Sequence, residues 1–143
     1  MKPALLIVEG DATLCAIYQK YLTDHGYEVE TARDGLSCLA KLRQAMPAVL
    51  VLDRELHWGG GDGVLAWLRE QSLPSEVPVV LTSTGVGSLD GAIDIKPPVV
   101  KFLPKPFTLT ELLNSVRAAV AKQEDKESFY LAHDVPCSGF FIG

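Results

Sequence analysis

Basic residues are too few in this chain to form a patch: 13 Lys and Arg stand against 18 Asp and Glu, for a formal net charge of -5. That balance gives no long-range attraction to nucleic acid or to an anionic membrane, so direct nucleic-acid binding is not expected. Cysteine is also scarce. Cys15, Cys38 and Cys137 show none of the Cys-x-x-Cys or Cys/His spacings of a metal or redox centre and read as reduced thiols of a cytoplasmic protein. No apolar run reaches membrane-spanning length, and Met1-Lys2-Pro3 leads into an apolar run too short for a signal peptide. Neither a membrane role nor export is expected. Internal repeats and low-complexity tracts are absent as well.

What is present is enough apolar material for one core: 48% of 143 residues. Short apolar runs alternate with stretches of helical period, the pattern of an α/β domain with a parallel sheet. Strands are expected at Ala4 to Val8, Glu28 to Ala32, Ala48 to Leu52, Val77 to Thr82 and Val99 to Leu103. The second alternates as an edge strand would, and the third is wholly apolar, as in a strand buried on both faces. Leu14, Ile17, Tyr18, Tyr21 and Leu22 share one helix face, with Gly26 as its stop. Leu36, Leu39 and Leu42 mark a second helix before Pro47; Val64, Leu65 and Leu68 mark a third. Glycines and Pro97-Pro98 leave room only for a short, degenerate fourth helix near Leu89 to Ile95. Thr108 and Glu111 form a capping box for a last helix, expected to end near Gln123. Residues 1–123 thus read as one domain and 124–143 as a C-terminal tail, flexible or an interaction segment.

In such a sheet, chemistry collects at the carboxyl ends of the strands. Glu9 and Asp11 follow the first strand, Asp53 the third, Ser83 and Thr84 the fourth, and Lys105 the fifth. Clustered carboxylates call for a cation, and oxygen ligands favour a hard ion such as Mg²⁺. An aspartate nucleophile, a metal, a lysine and a hydroxyl are also the parts that phosphoryl transfer to a carboxylate requires. An acid that ends an all-apolar central strand is costly to bury without a partner, which singles out Asp53.

From Lys2 to about Gln123 the chain resembles the receiver domains of two-component response regulators, the CheY-like superfamily. Leu5-Leu6-Ile7-Val8-Glu9-Gly10-Asp11 resembles their acidic first loop, and Val49-Leu50-Val51-Leu52-Asp53 their phosphoacceptor strand. Asp62-Gly63, Val77 to Ser83 and Lys105-Pro106-Phe107 resemble the opening of the third helix, the fourth strand with its switch hydroxyl, and the Lys-Pro-Phe signature. The resemblance implies a flavodoxin-like, doubly wound five-stranded parallel sheet of order 2-1-3-4-5 flanked by helices. It also implies phosphorylation of Asp53 by a histidine kinase or phosphotransfer protein. Lys105, Ser83 and Thr84 would serve the phosphoryl group, with Ser83 and Phe102 as the switch pair. The metal shell would comprise Glu9, Asp11, Asp53 and the Glu55 backbone carbonyl. Such a chain is a signalling module, not an enzyme in the ordinary sense, acting through an output protein as a monomer or weak dimer.

The chain departs from that family's pattern at several places. Gly10 stands where the family usually has a second acid, which should weaken Mg²⁺ binding. The loop after Asp53 is longer than usual and carries three glycines, with His57 read as a loop residue and Trp58 as packing or a docking contact. The degenerate fourth helix alters a face that many receivers use for output. A rival reading is a pseudo-receiver that binds partners without phosphate. An FMN site is disfavoured because Glu9-Gly10-Asp11 would repel its phosphate. A dehalogenase-type phosphatase, for which Glu55 has a suitable spacing from Asp53, would need its nucleophile on the first strand and room for a cap.

Overall fold

The computed structural model of the chain describes residues 2–57, 60–71, 77–84 and 96–132. Strands and helices alternate along them as β1 (Ala4–Val8), α1 (Ala12–Asp24), β2 (Glu28–Ala32), α2 (Gly35–Gln44), β3 (Val49–Asp53), α3 (Gly60–Glu70), β4 (Val79–Ser83), β5 (Val99–Pro104) and α4 (Leu109–Ala132). The strands pair in parallel in the order β2-β1-β3-β4-β5, the expected doubly wound arrangement. The short helix expected near Leu89 to Ile95, Trp58 and the end of the tail lie outside the described residues.

Side-chain parity along the strands splits the core in two. Leu5, Ile7, Val49, Val51 and Val80 face α1 and α4, where Tyr18, Leu22, Leu112, Leu113 and Val116 cover them. Leu6, Val8, Leu50, Leu52 and Leu81 face α2 and α3, against Cys38, Leu42, Val64 and Leu65. Each buried Leu or Val contributes about 1.5–3 kcal/mol relative to exposure, so β3, buried at all five positions, is held from both sides. The edge strand β2 alternates instead, exposing Glu28 and Glu30.

Local signals set the helix ends. Gly26 has φ 97°, a left-handed conformation that glycine adopts without strain, and its amide donates to the Thr23 carbonyl to close α1. The capping box forms reciprocally: the Thr108 amide donates to Glu111 Oε1 at 2.8 Å and the Glu111 amide to Thr108 Oγ1 at 3.0 Å.

Two expectations need correction. The last helix does not end near Gln123 but continues to Ala132. The apolar period fades there, yet Glu124 to Ala132 contains neither Gly nor Pro and is rich in good helix formers, so nothing breaks the turn. Strands β3, β4 and β5 also run one residue further at their carboxyl ends than the apolar runs indicate. The reason is the ladder itself: the Arg54 amide donates to the Thr82 carbonyl at 2.8 Å and the Lys105 amide to the Ser83 carbonyl at 2.7 Å, carrying the polar rim residues within the pairing.

Candidate functional site

Backbone pairing brings the rim together. Asp53 lies beside Thr82 and Ser83 beside Pro104, immediately before Lys105, while β1 delivers Glu9. Glu9 and Asp53 are each 4% exposed and Ser83 2%. Behind Asp53, α3 approaches so closely that a Cβ at Gly61 would stand 2.6 Å from Arg54 Cα and 2.7 Å from the Asp53 carbonyl oxygen. Only glycine fits there. On the opposite side the Phe107 ring stacks on Tyr18 with centroids 5.5 Å apart, anchoring the loop that presents Lys105.

Lys105 Nζ lies 2.8 Å from Glu9 Oε1 and 3.4 Å from Asp53 Oδ2. One cation thus serves two buried carboxylates. Burial by itself would lower the lysine pKa, but the hydrogen bond to Glu9 and the charges of Asp53 and Glu9 outweigh it and raise the value above 10.5. The remaining oxygens are also engaged: Glu9 Oε2 accepts from the Asp11 amide and Asp53 Oδ1 from the Glu55 amide, both at 3.0 Å.

A second network adjoins the first. Ser83 Oγ donates to Glu55 Oε2 at 2.5 Å and the Thr84 amide to Glu55 Oε1 at 2.9 Å. In the receiver reading of the sequence only the Glu55 backbone carbonyl has a role, not its side chain. Its position two residues beyond Asp53, on the same rim as the hydroxyls, was the available signal. Phe102 lies on β5 opposite Leu81, half-buried against the α2/α3 core. Asp11 behaves differently from the other acids: its Oδ1 caps α1 by accepting from the Leu14 amide at 3.0 Å. His57 is exposed, and its carbonyl accepts from the Gly35 amide at 3.1 Å.

Among the described residues no three His, Cys, Asp or Glu side chains are grouped to hold a metal. The donor chemistry nonetheless fits Mg²⁺, which commonly takes one or two carboxylates and keeps several waters. Glu9 and Asp53 supply hard oxygens whose two charges exceed the single charge of Lys105.

An acid ending the central strand, with a lysine and hydroxyls brought beside it by the neighbouring strands of a 2-1-3-4-5 sheet, defines the receiver class of signalling domain. The response regulator receiver domain family matches residues 5–117, and the chain belongs to that family. The DNA-binding response regulator MtrA of Mycobacterium tuberculosis (strain CDC 1551 / Oshkosh) is 26% identical over 132 residues, covering 92% of this chain and 57% of MtrA. MtrA of Mycobacterium leprae (strain TN) matches to the same extent, so the chain spans little more than half the length of these relatives. Among solved structures, the chemotaxis response regulator CheY4 of Vibrio cholerae superposes with a TM-score of 0.71 at 26% identity, covering 83% of this chain and 99% of CheY4. A CheY-like receiver domain protein of Methanospirillum hungatei reaches 0.78 at 21% identity, covering 88% and 99%, a likeness of fold. No described helix is long and apolar enough to cross a membrane.

Proposed function

We propose that this receiver domain accepts a phosphoryl group on Asp53 from a histidine kinase or phosphotransfer protein and signals through contacts that change with phosphorylation. The observation that supports this most is the buried Asp53 carboxylate with Lys105 Nζ 3.4 Å from Oδ2. In the step, an Asp53 oxygen forms a bond to phosphorus as the bond from phosphorus to the donor's nitrogen or oxygen breaks. The leaving group departs with that electron pair and takes up a proton from solvent. Lys105, already shared between two anions, can turn to the incoming phosphoryl oxygens without losing charge compensation. Ser83 at the end of β4 and Thr84 just beyond it would donate hydrogen bonds to the same group, and Phe102 on β5 would be the switch aromatic.

Glu9, Asp53 and the Glu55 carbonyl are the groups that would hold Mg²⁺, with Asp11 able to join through Oδ2 while Oδ1 caps α1. A bound Mg²⁺ supplies positive charge against the phosphoryl oxygens. Because Gly10 contributes no carboxylate, that binding is weak. The output partner is a protein; the DNA-binding activity of the MtrA relatives is not assigned to this chain.

A second reading, a pseudo-receiver that docks partners without phosphate, draws on Gly10 and on the full engagement of Glu9 and Asp53 with other donors. Incubation with acetyl phosphate and Mg²⁺ followed by intact-mass measurement separates the two. The phosphoacceptor reading expects one added phosphoryl mass; an unchanged mass at saturating Mg²⁺ favours the pseudo-receiver.

A further inference from the structure

We infer that the Glu55 carboxylate is an internal competitor of the phosphoryl group, holding the two donors that a phosphorylated Asp53 needs; the inference rests on the phosphoacceptor reading. Both carboxylate oxygens are used: Oε2 takes the Ser83 hydroxyl at 2.5 Å and Oε1 the Thr84 amide at 2.9 Å. A hydroxyl and an amide each carry one hydrogen, so neither can serve Glu55 and a phosphoryl oxygen with a full bond at once. A carboxylate and a phosphoryl group are alike in this respect, since each presents anionic oxygens to converging donors.

Glu55 is well placed to compete because its backbone is fixed to the nucleophile: its amide donates to Asp53 Oδ1 at 3.0 Å. The side chain then crosses from the β3 loop to the end of β4, to a serine that is 2% exposed. A phosphoryl group on Asp53 carries about -1.5 to -2 charge at pH 7. It would therefore repel the Glu55 carboxylate as well as compete for its donors. Phosphorylation and release of Glu55 are then one event. In the resting chain Glu55 occupies the donors, and in the phosphorylated chain its exposed carboxylate turns to solvent. Asp62, by contrast, pairs with Arg54 at 3.4 Å and plays no part in this exchange.

The test compares the parent with Glu55→Gln and Glu55→Ala, each labelled with acetyl phosphate at fixed Mg²⁺, while amide spectra follow Thr84. Glutamine offers one acceptor oxygen where glutamate offers two, and alanine offers none. Initial labelling rates should rise in the order Glu, Gln, Ala, with Ala about tenfold above the parent, the scale of one charge-assisted hydrogen bond. The Thr84 amide signal should shift in the unphosphorylated variants, towards its position in the phosphorylated parent. If the parent labels and Glu55→Ala labels no faster, the competitor is excluded while the phosphoacceptor reading stands. If neither chain labels, both fall. Labelling of Glu55→Ala alone supports both. The same amide spectra show whether each variant is folded, so a folded Glu55→Ala that labels no faster counts against the competitor.

Discussion

Lys105 carries the electrostatics of the rim, since two carboxylates that are 5% and 6% exposed in their side chains share its single charge. Lys105→Met should leave both without a counter-ion and cost about 3 kcal/mol, the lower end for a broken buried pair because the lysine itself is partly exposed. The shift of the urea midpoint at neutral pH measures it. The lysine's folded pKa is raised, so its contribution is fully present below the unfolded value of 10.5 and is lost as pH rises through the higher folded value. The gap between parent and Lys105→Met should therefore stay constant up to about pH 10 and narrow above it. A gap that widened in alkali would contradict the pairing. Gly10 offers the complementary test. A Cβ there would meet only the Arg33 carbonyl oxygen at 3.8 Å, an ordinary contact, so the backbone at Gly10 accepts a side chain. One added carboxylate should tighten Mg²⁺ roughly tenfold by calorimetric titration. Unchanged affinity would mean that the new carboxylate does not face the ion.

The helices show where reading the sequence succeeds and where it stops. Gly26, Thr108 and Glu111 announce their ends because capping depends on residue type and short spacing, and all three act as expected. Thr108→Ala should cost about 1 kcal/mol, visible as a lower melting temperature. Asp11 illustrates the limit. Sequence reading makes Asp11 a metal ligand, and its Oδ1 also caps α1, a contact that residue order does not announce. The far end of α4 is similar: apolar period gives the buried face, Leu112 to Val120, but not how far the helix runs beyond it. Among the described side chains of α4 the last one in the core is Val120, so truncation after Gln123 should leave the melting temperature within a few degrees. A larger fall would assign stability to the last turns of α4.

At the scale of the molecule the fold was legible because a doubly wound sheet writes itself into the chain as alternating apolar runs and helical periods. The rim was legible because polar residues stand immediately after those runs. What remained hidden was the wiring between rim groups, such as the hold of Glu55 on Ser83 and Thr84, because it depends on rotamers and not on residue order. The central claim is that this wiring surrounds a nucleophile, Asp53. Its most direct measurement is borohydride reduction of the chain after acetyl phosphate treatment, which converts an aspartyl phosphate to homoserine, followed by peptide mass mapping. Homoserine at position 53 in the parent, and at no position in Asp53→Asn, is the predicted result. Phosphate or homoserine at any other residue, or an unmodified Asp53 at saturating donor and Mg²⁺, would contradict it.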